Sequence, residues 1–424
     1  PQRHGCLVRC GPPRHHPISG HSEKAQWVRV RLDEVVALDV DVVPVTATAS
    51  YNIVGVLNRG RGLLFRDPIA GDETSYKTLN RIRPNQIVYS RLKAFEGAIT
   101  VAPNDLGEVY ASQEFPTFTC GERMLPEYFR LLTTTKRLWE QLQALSTGMG
   151  GRRERVKPAD FLTIEVAIPS LPEQCRIVDV MASVDAQIYG LDAERQKAAS
   201  LLALVRDAHP EGTERELRSI ISGIQGGKSV QTSDEKPRTG DPAVLKLSAI
   251  QLGAFVGTEA KRLADLTSYT NAHLVTEGDL LITRASGSFD RVGYAAIARN
   301  VAPQTYLPDL IWRIQTKPEV CQATFLAHLL CSPSVRSTIT ASARGTASMR
   351  KINKALLGSL RLPIPSLEEQ AKYVQHCDAV AFAVADLDLE LANLRAFRSA
   401  LMASLLNQEI EIPEAYDALL EEVS

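Results

Sequence analysis

At 424 residues with 44% apolar content, the chain is long enough for two or three domains with ample core. Its 48 basic and 49 acidic residues leave a formal net charge of −1, which excludes a blanket polyelectrolyte binder; any nucleic-acid contact must come from local basic clusters or from partner subunits. No apolar run approaches the ~18 residues of a membrane span, and seven scattered cysteines read as reduced thiols in a cytoplasm rather than a disulfide frame.

Residues 1–26 carry Pro, Arg and His4, His15, His16 and His21 without hydrophobic periodicity, and a disordered leader or a misassigned start is expected there. Cys6 and Cys10 stand beside these histidines, but their spacing fits no familiar zinc site. The folded chain is expected to begin near Trp27, with a first globular unit over 27–167. Within it Val54–Phe65 reads as strand, glycine turn and strand. Pro84–Ser90 and Gly97–Val101 read as further strands joined by Arg91–Glu96, and Leu125–Leu145 as a helix.

A helical segment over 168–209 follows. Ile168-Pro-Ser-Leu-Pro-Glu-Gln174 opens it, and Ile177, Met181, Val184, Ile188, Leu191, Arg195, Ala198, Leu202 and Val205 keep the alternating 4-3 spacing of a coiled-coil seam. The same opening returns as Ile364-Pro-Ser-Leu-Glu-Glu-Gln370, 196 residues later, at the head of a second helical segment over 364–408. The seam returns with it, at Tyr373, Cys377, Val380, Val384, Leu387, Leu391, Leu394, Arg398 and Leu401. Each set is apolar but for one arginine, so repeat and heptad share a register. A helix of about 40 residues spans about 60 Å, and a proline near its start is tolerated where the N–H has no partner. One such heptad would suit an ordinary core helix. Two in register, each after a domain-sized segment, point to an antiparallel intramolecular coiled coil.

Residues 210–363 repeat the order of the first unit. Val244–Ile250 and Gly253–Val256 answer its first pair of strands, Gly278–Arg284 and Val292–Ile297 its second, and Phe325–Ile339 its helix. The expected fold class is α+β: two similar domains separated by two long helices, with a C-terminal tail over 409–424. Gly223-Ile-Gln-Gly-Gly-Lys-Ser229 imitates a phosphate-binding loop, but Ser222 stands where the motif needs glycine, so a turn is expected, with Lys228 available to a phosphate. Asp234-Glu-Lys236 has nuclease-like spacing without an acidic partner on a strand. No Asn-Pro-Pro-aromatic, His-Glu-x-x-His or Cys-x-x-Cys sequence occurs, so no catalytic centre and no metal site are expected.

Tyr89-Ser-Arg-Leu-Lys-Ala-Phe-Glu-Gly97, Ser112–Phe118 and Gly278-Asp-Leu-Leu-Ile-Thr-Arg-Ala-Ser-Gly287 resemble target-recognition domains of type I restriction–modification specificity subunits. The opening of each long helix is similar to that family's spacer regions, and the resemblance runs from Trp27 to Gln408. It implies a non-catalytic subunit that reads a split double-stranded DNA target through two recognition domains, with the helices setting the gap. It also implies methyltransferase subunits using S-adenosylmethionine and restriction subunits using ATP and Mg as partners, and no cofactor on this chain. The competing reading is a coiled-coil interaction scaffold without sequence-specific DNA binding.

DNA readout needs guanidinium or amide groups on base edges and cations or hydroxyls on phosphates. In the first unit Arg91 and Lys93 sit between two expected strands, and Arg152, Arg153, Arg155 and Lys157 follow a glycine-rich stretch. Arg284, Ser286, Ser288 and Arg291 answer the first group in the second unit; Arg344, Arg350, Lys351 and Lys354 answer the second. Basic residues beside glycine at equivalent places favour a shared contact surface. Asn58, Arg59 and Arg61 are weaker candidates, and Glu96 and Glu114 read as structural or partner-facing.

Overall fold

The computed structural model describes residues 27–146, 155–229, 235–287, 291–346, 349–413 and 415–417. It divides into two compact units, one of residues up to 189 together with those from 393 on, the other of residues 190–392. Both long helices, Leu171–Asp207 and Leu367–Leu406, therefore contribute a segment to each unit.

In the first unit Val28–Arg31 pairs antiparallel with Glu165–Ile168. A four-stranded sheet runs in the order Ile99–Val101, Ile87–Tyr89, Thr117–Cys120, Val36–Leu38. Its strands Ile99–Val101 and Ile87–Tyr89 are short and buried on both faces, which is why they read as continuous apolar runs rather than alternating ones. Tyr89, Phe118 and Phe161 stack at the centre, with ring centroids 4.7–5.9 Å apart.

The second unit repeats this plan. Thr213–Glu216 pairs with Arg361–Ile364, and the four-stranded sheet runs Ala295–Ile297, Leu280–Thr283, Ile311–Thr316, Ile221–Gly226. The strand order matches that of the first unit element for element. The internal repeat read in the sequence is thus a repeat of topology.

Three details depart from expectation. Each single helix is two: Pro126–Leu132 and Lys136–Leu145 in the first unit, Ala323–Leu330 and Pro333–Ser342 in the second. In the first, the hydroxyls of Thr133, Thr134 and Thr135 donate back to carbonyls three residues earlier, and Thr135 then caps the next helix through Leu138 N. In the second, Pro333 restarts the helix where its missing N–H does no harm. Val244–Ile250 and Gly253–Val256 do not form a hairpin of two strands: Ala243–Leu245 pairs with Ala260–Arg262, and only an isolated bridge joins Ile250 to Phe255.

The third departure is the glycine-rich stretch at 223–229, which is not a turn. Ile221–Gly226 is a strand along Ile311–Thr316, and Gly227 continues it so closely that an added Cβ would lie 1.8 Å from the Leu307 carbonyl oxygen. Those glycines permit close backbone packing.

The expected seam positions are the inward-facing ones on both helices. In the first unit Ile177 and Met181 pack in one core with Leu401 and Leu405, and Arg398 holds Asp185 through paired hydrogen bonds, one of 2.8 Å. In the second unit Arg195 holds Asp388 at 2.9 Å. Ten residues forward on one helix thus answer ten residues back on the other, the register of an antiparallel pair. The two seam arginines are the two that form these ion pairs.

Candidate nucleic-acid interface

In the first unit the chain leaves the central strand at Tyr89 and turns through Arg91–Lys93 into the short helix Ala94–Glu96. Gly97 closes this loop at φ 72°, against the Trp139 ring, where a Cβ would lie 2.7 Å from the indole. Arg91 and Arg155, far apart in sequence, meet here. Val156 N donates to the Arg91 carbonyl at 3.1 Å, and the Tyr89 hydroxyl donates to the Val156 carbonyl at 3.1 Å. Burial pushes the Tyr89 hydroxyl far above its ordinary pKa, so it acts only as a neutral hydrogen-bonding group. Lys93 and Lys157 are exposed beside this junction.

Glu114 joins the same junction. Its carbonyl accepts from Arg91 N at 2.9 Å, and its carboxylate pairs with Arg155 at 2.9 Å. The charge of Arg155 is therefore partly neutralised within the protein, in line with the structural role read for Glu114. The Asn58–Arg61 turn lies alongside: Asn58 donates to the Glu96 carboxylate, Gly60 N donates to the Gly97 carbonyl at 3.3 Å, and Arg59 lies 6.0 Å from the Trp139 ring centre.

The second unit builds the equivalent junction by the same backbone contact, Ile352 N donating to the Arg284 carbonyl at 3.0 Å. Here the two basic segments form a small sheet. Ala285 and Ser286 pair with Lys351 and Arg350, and Arg344–Thr346 returns along the same strand. Gly345 makes that return possible at φ 145°, where a Cβ would lie 2.2 Å from the Met349 carbonyl oxygen. Arg284 lies 5.7 Å from the Trp312 ring centre, a cation–π contact that holds its planar fork in place. Arg344, Lys351 and Arg291 are exposed. Lys354, also exposed, is engaged within the protein: its ammonium donates to the Ile224 carbonyl at 2.6 Å and lies 6.0 Å from the Trp312 ring centre.

Of the residues singled out in the sequence, Arg152, Arg153 and Ser288 lie outside the described residues, as do Cys6 and Cys10. The other residues named for DNA contact gather at one junction in each unit. The sequence reading missed Trp139 and Trp312, which brace the loops, and the pairing of Glu114 with Arg155. A tryptophan several strands away in sequence gives no local sign of the cation it will meet. Among the described residues no group of three or more His, Cys, Asp or Glu side chains is placed to hold a metal, and no helix is long and apolar enough to cross a membrane.

Two like α+β units, each presenting a junction of paired basic segments and each incorporating part of an antiparallel helix pair, define the class: an α+β protein built by internal duplication. No family model matches the chain. It is 24% identical over 283 residues to the EcoKI specificity subunit of type I restriction enzymes from Escherichia coli (strain K12), covering 62% of this chain and 60% of that protein. To the StySPI specificity subunit of Salmonella potsdam it is 23% identical over 299 residues, covering 66% and 64%. The chain thus spans somewhat under two thirds of the length of the curated relatives it matches. A chain solved in work on complex assembly and conformational transition of the type I R-M system shares the fold, with TM-score 0.54 at 19% identity over 92% of this chain and 98% of that one. The proteins to which the chain is similar are thus specificity subunits of type I restriction enzymes.

Proposed function

We propose that this chain is the DNA sequence-specificity subunit of a type I restriction–modification complex, reading a bipartite duplex target with one half-site per unit. The observation that carries this reading is the convergence in each unit of two basic segments on one junction, made by the same backbone hydrogen bond: Val156 N to Arg91 O, and Ile352 N to Arg284 O. Converging guanidinium, ammonium and hydroxyl groups suit phosphate and base-edge contacts. Arg91, Lys93, Arg155, Lys157, Arg284, Ser286, Arg291, Arg344, Arg350 and Lys351 would supply them, with Lys354 bracing the second junction through the Ile224 carbonyl.

In this reading the chain performs no chemistry and works in the cytoplasm. Methyltransferase subunits bring S-adenosylmethionine, and restriction subunits bring ATP and Mg. Apolar side chains left outward on the long helices support protein partners: Leu201, Leu204 and Leu389 are more than half exposed, as are Tyr189, Phe382 and Phe397. A near-neutral chain also suits a subunit whose partners supply part of the phosphate contact.

The test is methylome sequencing of a host with this gene present and deleted, with an active cognate methyltransferase subunit supplied. Loss of adenine methylation at one split motif is the expected result. An unchanged methylome would move the reading to a coiled-coil scaffold that joins protein partners without reading DNA.

A further inference from the structure

The two units are alike in topology but differ where the long helices meet the recognition domains. In the second unit the Arg206 side chain, near the end of the helix Leu171–Asp207, is 3% exposed. Its Nε donates to His328 Nδ1 at 3.3 Å, and His328 Nε2 lies 2.9 Å from Asp378 Oδ1 on the other long helix. An arginine can only donate, so Nδ1 must be the acceptor. His328 is therefore the neutral tautomer with its proton on Nε2, donated to Asp378. The Tyr373 hydroxyl donates to the Arg206 carbonyl at 2.6 Å, and Asp207 accepts from Ser334 N at 2.9 Å. Gly253, at φ 81°, lies so close that a Cβ would sit 2.1 Å from an Arg206 terminal nitrogen.

In the first unit the 196-residue repeat puts Met402, Ile177 and Ala182 at the positions of Arg206, Tyr373 and Asp378. Counting from the helix N-caps Leu125 and Gln322, Leu131 takes the place of His328. Ile177, Leu131 and Met402 belong to one apolar core there. The same joint is thus greasy in one unit and ionisable in the other.

We infer that Arg206, His328 and Asp378 form an acid-releasable latch, present in the second unit only, which holds the last turns of the first long helix against the helix Ala323–Leu330. A proton added at Nδ1 removes the acceptor of the Arg206 bond and sets an imidazolium against a buried guanidinium. The charged or titratable groups facing His328 are Arg206 from one long helix, Asp378, Tyr373 and Cys377 from the other, Arg299 from the loop after Ala295–Ile297, and Cys331 at the end of its own helix. Burial holds the phenol and both thiols neutral, which leaves two arginines against one carboxylate. Burial first, and then Arg206, hold His328 below the ordinary histidine value, Asp378 opposing them. Protons can reach the latch, because His328 and Asp378 line a cleft of about 970 Å³ open to solvent.

The sign follows from linkage. With the folded pKa below the unfolded one, the unfolded joint binds more protons as pH falls through 6.5, so the latch is at full strength above that value and weakens towards the folded pKa. The test uses the full chain. Histidine C2 deuterium exchange should show His328 titrating below pH 6.5; titration at or above it would overturn the latch. Amide exchange, corrected for intrinsic rates, should speed up over 200–207 and 323–330 between pH 7.5 and 5.5. Because pH 5.5 lies one unit below 6.5, the increase is expected to reach at most about tenfold. The counterpart segments 396–403 and 126–132 should not respond. His328→Leu should abolish that difference, and His328→Gln, which cannot titrate, checks the result should the leucine variant fold poorly. Equal pH responses in the two units, or one that persists in both variants, would overturn the inference. None of these readouts involves DNA, so they stand or fall separately from the recognition role.

Discussion

Gln174 and Gln370, 196 positions apart and both fully buried, make the same three hydrogen bonds. Gln174 accepts from Leu125 N at 2.9 Å and donates to the carbonyls of Arg123 at 2.9 Å and Pro169 at 3.0 Å. Gln370 accepts from Gln322 N at 2.9 Å and donates to Val320 at 2.9 Å and Pro365 at 3.0 Å. Each side chain pins the first turn of a long helix to the N-cap of a domain helix. That explains why the opening heptapeptide survives in both copies while the domains around it have diverged.

Replacing either glutamine with leucine should destabilise the chain by about 1–3 kcal/mol, because a buried N–H and two carbonyls lose their partner. The residues lie in different units and share no partner, so the double variant should show the sum. Urea unfolding of the two single variants and the double variant measures this. An unchanged midpoint for either single variant would show that the bonds are replaced at no cost.

The helix-pair ion pairs give a charge-swap prediction. Asp185→Arg should lower the melting temperature by setting two cations together, and adding Arg398→Asp should restore it. Both side chains are partly exposed, so the coupling recovered in a double-mutant cycle should be about 0.2–1 kcal/mol.

Within the proposed DNA-binding junctions, Arg155 and Lys351 should behave differently. Lys351 is exposed and no ion pair engages it among the described residues, so Lys351→Ala should weaken duplex binding by the assembled complex and reduce the salt slope by about one. Arg155 already pairs with Glu114, so Arg155→Ala should change the slope less. Glu114→Gln should strengthen nonspecific binding by releasing that charge. Salt titrations of binding to the target and to an unrelated duplex read all three.

Thiol reactivity should follow burial. Desolvation pushes the Cys120 and Cys321 thiols up to about 12 and raises those of Cys331 and Cys377. A thiol held protonated is a poor nucleophile. Iodoacetamide at pH 8 should therefore leave these four unmodified in the native chain and label them in urea, as read by peptide mass spectrometry.

Much of this architecture is written in local patterns. Seam positions such as Ile177 and Leu391 declare themselves because a helix repeats its face every 3.5 residues, whatever it packs against. The duplication is equally plain, since an internal repeat needs no partner to be seen. The basic character of the stretches near Arg91 and Arg350 is likewise a property of the chain alone. What only the tertiary structure decided is which distant groups meet. It brought Arg91 to Val156 and Arg284 to Ile352, gave Arg155 to Glu114, set Lys354 beside Trp312, and made a strand of Ile221–Gly226. It also set Arg206 against His328 where the other unit has Met402 and Leu131. Such pairings depend on sheet order and on which backbones approach closely enough to exclude a side chain. Those conditions are set by the packing of the whole unit, and no window of neighbouring residues contains them.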